Sequence, residues 1–234
     1  MYWHLSSQEE REIVGPAMTS SLWLRLINES NNSIKRVIYQ TYVSIASTPN
    51  AHKNLIRLWQ DKAPEVDLNL SSRDKEQLAY AIAVRDLDGA DDIYAQQLQL
   101  LTNPDDVKRM QFVKPALSSD KVTRDNFFES LKHAENRSQE RWVLTALSYL
   151  HHPLRQSSSR AYVLPSLELI EEIQTTGDIF FPKRWLDNTL GAYSDDKTRT
   201  IVKEFLKNNP DLSDNLKNKI HQASDILMRS KNIK

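Results

Sequence analysis

Residues 103–106 read Asn103-Pro104-Asp105-Asp106, and the order of these four side chains decides how the chain is to be read. An asparagine ahead of a helix offers its carbonyl oxygen to the free N–H groups of the first turn. A proline at the first helical position loses no hydrogen bond, and two acids in the first turn face the positive end of the helix dipole. Thr48-Pro49 repeats that grammar. Ser7 with Glu10 and Ser71 with Asp74 have the three-residue spacing of a capping box. Asn136 with Gln139, Ser119 and Ser194 mark further starts of the same kind.

Outward from these caps the apolar residues recur at helical spacing. Ile34, Val37, Ile38 and Ile45 form one stripe; Trp142, Val143, Ala146, Leu147 and Leu150 form another. Ile201, Val202, Phe205 and Leu206 make a shorter one, and Leu216, Ile220, Ala223 and Leu227 close the chain. Strand-like alternation occurs at Val66-Asp67-Leu68-Asn69-Leu70, a short stretch behind Pro64 that reads as an extended connector. The pattern predicts an all-α domain over residues 1–234 with about twelve helices, starting roughly every 15–24 residues. Two helices make a unit of about 35–45 residues, the length of a HEAT or armadillo repeat. Each such pair leaves an apolar face that only its neighbours bury, so the expected architecture is an α-solenoid of about six helix pairs with a concave inner face. An irregular helical bundle is the alternative.

Composition narrows the function. The four glycines, Gly15, Gly89, Gly177 and Gly191, are too far apart to build a phosphate-cradling loop. Thirty-one basic residues balance 31 acidic ones, whereas duplex nucleic-acid binders draw most of their affinity from a basic surplus. No apolar run approaches the length of a membrane span, and Met1-Tyr2-Trp3-His4-Leu5 lacks the basic-then-apolar layout of a signal peptide. Without cysteine there is neither disulfide nor thiolate chemistry.

Catalytic signatures are scarce. The histidines are His4, His52, His133, His151, His152 and His221; no two lie four apart and none precedes a glutamate, so no helical zinc-peptidase motif can be written. The neighbours His151 and His152 cannot put both rings on one helix face. Ser157-Ser158-Ser159 lacks the flanking glycines of a nucleophile elbow and reads as a loop or cap. The acidic pairs Asp91-Asp92, Glu171-Glu172 and Asp195-Asp196 read as helix N-terminal charge or solvated faces.

Two segments carry more information. In Tyr149-Leu150-His151-His152-Pro153-Leu154-Arg155-Gln156 an apolar helix ends in histidines, which suit a helix C-terminus, and a proline that stops it. The functional alternative places Arg155 or His152 on the inner face, where an arginine fork would suit a carboxylate ligand. In Gly177-Asp178-Ile179-Phe180-Phe181-Pro182-Lys183-Arg184-Trp185-Leu186-Asp187, Gly177 ends one helix and Phe180, Phe181 and Trp185 are expected to pack the turn. Lys183 and Arg184 then open the next helix against its dipole, which calls for a compensating acid nearby or a ligand.

Residues 37–61 (VIYQTYVSIASTPNAHKNLIRLWQD) and 147–156 (LSYLHHPLRQ) resemble stretches of the carboxy-terminal helical domain of zinc aminopeptidases of the aminopeptidase N type, peptidase family M1. So do residues 177–191 (GDIFFPKRWLDNTLG), 201–212 (IVKEFLKNNPDL) and 219–227 (KIHQASDIL). These are repeat-core and turn sequences, in the family's order over most of the chain. The family's catalytic signatures, histidine-glutamate-x-x-histidine and glycine-alanine-methionine-glutamate-asparagine, are absent; Gly15-Pro16-Ala17-Met18 is not the latter. The resemblance implies the carboxy-terminal part of a longer chain, partnered by an upstream catalytic domain that holds the zinc. It implies a domain that covers the catalytic cleft and limits which peptide substrates enter. It also implies that basic residues help hold the peptide's carboxy-terminal end, with Arg155 and Arg184 the candidates and His152 lining the same area. No metal ligand and no catalytic residue is expected in this chain itself.

The competing reading is a free-standing α-solenoid that scaffolds a protein or peptide. The first helix bears on this choice, because Val14, Met18, Leu22, Trp23 and Leu26 form a large apolar set where a capped solenoid carries a polar outer face. A helical-repeat DNA-repair enzyme is a third possibility, disfavoured by the neutral charge.

Overall fold

The computed structural model describes residues 2–5 and 8–230, and among these the chain is helical without a strand. It forms two compact units, one running up to Met110 and the other from Gln111 onward together with Trp3–Leu5.

The first unit contains α2 (Gln8–Asn28), α3 (Asn32–Ile45), α4 (Pro49–Trp59), α5 (Ser72–Ala83) and α6 (Ala90–Leu100); the single turn α1 (Tyr2–Leu5) comes before them in the chain, with Trp3–Leu5 belonging to the other unit. The boundary between units falls inside α7 (Pro104–Leu117). Within the first unit α2 packs on α3, α4 on α5 and α5 on α6. The second unit contains α8 (Lys121–Ser130), α9 (Glu140–Leu150), α10 (Gln156–Ser159), α11 (Val163–Glu168) and α12 (Ile170–Thr176). It continues with α13 (Phe181–Leu190), α14 (Asp196–Asn208), α15 (Asp214–Ala223) and α16 (Asp225–Arg229). Its packing skips along the chain: α13 meets α9, α11, α12 and α15.

The strongest caps form as their side chains dictate. Asn103 Oδ1 accepts the N–H of Asp105 at 2.9 Å, and Thr48 Oγ1 that of Ala51 at 3.2 Å. Ser71 and Asp74 close a reciprocal capping box. The Ser7–Glu10 start lies outside the described residues, because of Ser7. Three weaker starts shift. Asp120, not Ser119, caps α8, and Asp195, not Ser194, caps α14. In both a carboxylate displaces a hydroxyl one residue away, because it accepts N–H bonds and also opposes the dipole. Asn136 sits in a 3-10 turn (Ala134–Arg137), donating its amide to Ser130 O, so α9 begins behind Gln139 without a side-chain cap.

The stripe on α3 is rotated from its expected phase. Ile34 and Val37 are exposed, and the inward face is Lys35, Ile38, Tyr39, Tyr42 and Ile45. Spacings of three and four place these five on one side of the helix. Lys35 is admitted because its ammonium donates to Val66 O at 2.9 Å. The connector behind Pro64 begins as a 3-10 turn, Pro64–Val66, and is irregular beyond Asp67.

Glu76 of α5 is a buried carboxylate of the first unit, 1% exposed. Its carboxylate accepts from Tyr80 Oη (2.7 Å), Arg73 Nη1 (2.9 Å) and Arg109 Nε (3.0 Å). Arg109 also pairs with Asp106 one turn back on α7. A buried carboxylate is tolerated only with such partners, and neutralising it removes the charge that the Tyr80 hydroxyl and the half-buried Arg109 are arranged around, leaving Arg109 with Asp106 alone. Glu76→Gln is therefore expected to lower the unfolding free energy by about 3 kcal/mol, read as a fall in the urea midpoint.

Candidate functional site

His151 ends α9 and is fully buried. Its Nδ1 lies 2.9 Å from Tyr193 Oη, and its ring meets those of Tyr162 and Tyr193 edge-on. Burial pushes its pKa down to about 3, so the ring is neutral and does not serve the helix dipole as a cation. The dipole is worth under about 2 kcal/mol here, and desolvating an imidazolium costs more. Nε2 has no hydrogen-bond partner among the described residues.

His152 is half-buried. Its Nδ1 accepts the N–H of Leu154 at 3.3 Å, starting a 3-10 turn over Pro153–Arg155. Its ring stacks on Tyr149 and meets Trp3 edge-on at 5.9 Å. Arg155 is half-buried too, with Nη2 donating to Leu117 O at 3.3 Å where α7 ends. Gln156 donates its side-chain amide to Ala192 O. This end of α9 is tied to two neighbouring turns by side-chain to main-chain bonds.

Arg184 occupies a different place. It is exposed, in the first turns of α13, with its guanidinium 5.8 Å from the centre of the Phe180 ring. The acid that its position calls for is present. Asp178 Oδ1 accepts the N–H groups of Phe180 (2.6 Å) and Phe181 (2.9 Å), and Glu140 Oε1 accepts the N–H of Asp178 at 2.7 Å. The Phe180 N–H holds the Asp178 carboxyl below its ordinary range, with Arg184 adding to this. Burial, and then the Asp178 charge, push Glu140 up. Lys183 is paired with Asp187 one turn on.

The turn itself is fixed by close packing. A Cβ on Gly177 would lie 2.6 Å from Phe181 Cδ1, so only glycine fits. Phe181 and Trp185 pack inward as expected, but Phe180 does not: it is 63% exposed and Ile179 79%. Asp178 orients both outward by capping α13 directly behind them.

The three sequence candidates do not converge. Glu140, beside Asp178 and Arg184, begins α9, whereas His152 and Arg155 follow its end. Eleven helical residues separate the two places by about 16 Å. His152 and Arg155 are neighbours, and Arg184 belongs with Phe180, Asp178 and Glu140. Sequence reasoning missed the His151–Tyr193 pair, whose members lie 42 residues apart with no local signal between them. Among the described residues no three histidine or carboxylate side chains are grouped to hold a metal ion, and no helix is long and apolar enough to cross a membrane.

Comparison with protein families and with curated proteins finds no match for this chain.

Two outcomes follow from this geometry. Between about pH 6.5 and the folded value of about 3, unfolded His151 binds a proton that folded His151 refuses. Its contribution therefore falls as pH falls through that window, by up to about 1.4 kcal/mol per pH unit, and His151→Gln flattens that slope in urea titrations. Gly177→Ala is expected to lower the thermal midpoint by forcing Phe181 out of its packing, while Gly89→Ser, whose Cβ meets open space, costs only the strain of a positive φ.

Proposed function

We propose that this chain is the carboxy-terminal helical domain of a zinc aminopeptidase of the aminopeptidase N type, a cover over the catalytic cleft that limits and orients peptide substrates. The observation that carries this reading is the ordered likeness of residues 37–61, 147–156, 177–191, 201–212 and 219–227 to that domain. In this reading the upstream domain holds the zinc, which polarises the scissile carbonyl and activates water. This chain supplies walls and anchors instead.

Two surface features support a role inside a larger assembly. Ile13–Leu24 of α2 is a run of twelve residues without a charge. At 100° per residue Ile13, Ala17, Ser20 and Leu24 share the outward face of that helix, and Ile13 is 77% exposed. An uncharged outer face suits a covering domain better than solvent. The second feature is the Ile179–Phe180 turn with Arg184 beside it. Of the three candidate anchors, Arg184 is the one whose guanidinium reaches the surface; a ring-stacked arginine retains its planar fork for a carboxylate. Arg155 and His152 shape the wall near Leu117 and Trp3.

The free-standing scaffold remains the second reading, favoured by the same uncharged face of α2 if a separate protein covers it.

An antibody raised to this domain separates the two. A band several-fold larger than 27.1 kDa in a lysate of the source organism is the expected result, and a single band at 27.1 kDa refutes the aminopeptidase reading. The isolated chain is expected to turn over no leucyl anilide; chelator-sensitive turnover by the pure chain contradicts the assignment. In the whole enzyme Arg184→Ala is expected to raise KM for peptides with a free carboxy terminus by about tenfold, the worth of one charge-assisted pair, and to leave leucyl anilide hydrolysis unchanged.

A further inference from the structure

The turn between α5 and α6 holds the one aspartate of this sequence that is followed by glycine, Asp88-Gly89. Gly89 has φ 76° and ψ 8° and stands directly ahead of α6. Ala90 N–H donates to Leu87 O at 2.9 Å, so Leu87–Ala90 is a β-turn with Gly89 in its third place. The residues other than glycine with positive φ are Asp61, Asp67 and Asp86, so Asp88 has negative φ. That makes the turn type II, the form that calls for glycine in the third place.

Little restrains this dipeptide. Asp88 and Gly89 are both exposed, and a Cβ on Gly89 would meet no atom within 4 Å. Among the described residues the Gly89 N–H and the Asp88 carboxylate have no hydrogen-bond partner.

The combination has a covalent consequence. The amide nitrogen that follows an aspartate can close a five-membered ring on the carboxyl carbon. The bond from Gly89 N to Asp88 Cγ forms, the Cγ–OH bond breaks, and the amide proton leaves with that hydroxyl as water. The resulting succinimide then takes water back. Addition at Cγ restores aspartate. Addition at the main-chain carbonyl carbon of Asp88 gives isoaspartate, in which the chain runs through Cβ and the α-carboxylate is free. Ring closure requires the peptide unit between the two residues to rotate until its nitrogen faces the carboxyl carbon. A side chain on the second residue obstructs that approach, and a helix holds the peptide unit fixed. Asp61, Asp67 and Asp86 are followed by Lys62, Leu68 and Leu87, which obstruct it. Asp91 and Asp92 lie within α6.

We propose that Asp88-Gly89 is a site of spontaneous isoaspartate formation in the folded protein. The anchors of α6 are independent of the turn. Tyr94 Oη donates to Met110 O at 2.6 Å, and Gln97 accepts from Trp59 Nε1 at 2.9 Å, so the modified chain keeps its fold. The added main-chain carbon falls inside the Leu87–Ala90 turn and breaks the spacing on which its closing hydrogen bond depends. The released α-carboxylate is at the exposed surface, where an isoaspartyl methyltransferase reaches it. The inference does not rest on the aminopeptidase reading.

The test ages the folded 234-residue chain at neutral pH in heavy-oxygen water. Heavy oxygen is expected to enter residue 88, and cleavage ahead of that residue by an aspartate-specific protease is expected to be lost progressively. Trypsin releases the peptide that follows Arg85 and ends at Lys108. An isoaspartyl methyltransferase supplied with labelled S-adenosylmethionine is expected to label that peptide ahead of all others. Asp88→Glu cannot close a five-membered ring and is expected to abolish both the heavy-oxygen uptake and the methyl label. Asp88→Asn passes through the same ring with loss of ammonia, and is expected to turn into aspartate and isoaspartate. The proposal is overturned if residue 88 takes up no heavy oxygen and stays fully cleavable, or if another aspartate isomerises first. It is equally overturned if Asp88→Glu keeps the methyl label or Asp88→Asn stays an amide.

Discussion

Trp185 is fully buried on α13, the helix that α9, α11, α12 and α15 all pack against, and its indole N–H donates to Ser166 O at 3.1 Å. The second unit depends on that helix being covered. Phe181, Trp185, Leu186 and Leu190 are all inaccessible, so the elements around α13 share one apolar centre. Removing an indole from such a place costs about 3–5 kcal/mol, a large part of a domain's total stability. The Gly177 turn exists to deliver α13 into that position, because Phe181 must pass within contact of the backbone behind it. The exposure of Ile179 and Phe180 is the other side of the same constraint. Once Phe181 is drawn inward and Asp178 caps the helix, the two residues between them are left outside.

The first unit solves a different problem. Its buried charges and its tryptophan are satisfied at specific places: Glu76 by Tyr80, Arg73 and Arg109, Lys35 by Val66 O, and Trp59 Nε1 by Gln97 at 2.9 Å. Such contacts specify position more than they add stability, since a buried ion pair returns little beyond its desolvation cost. Lys35 links the first helices to the connector in this way. The course of the connector at Val66 and Asp67 therefore follows from a lysine whose burial a hydrophobicity pattern disallows.

The all-helical character was legible because caps and apolar spacing are local. Asn103, Thr48 and Ser71 each act within three residues, so no distant part of the chain alters their outcome. The phase of α3 was not legible. Ile34 and Val37 are as apolar as Ile38 and Ile45, and only the carbonyl waiting for Lys35 shows which side turns inward. The same limit applies to Ser119 and Ser194, where an adjacent aspartate competes for the cap. His151 looked like a cationic helix end, and it is a neutral buried ring because Tyr162 and Tyr193 close over it.

For the candidate site, residue types and segments were readable and their grouping was not. Composition and spacing alone determined an all-α chain without thiolate chemistry or phosphate-binding glycine loops, since these follow from which residues are present and how far apart they lie. They also marked His152, Arg155 and Arg184 as unusual at helix ends. Only the tertiary structure decided that α9 holds Arg184 apart from the other two, that Arg155 points its fork at Leu117, and that Phe180 stays outside. Each of these depends on which helices pack together, and that is set by contacts between residues tens of positions apart, which no local pattern encodes.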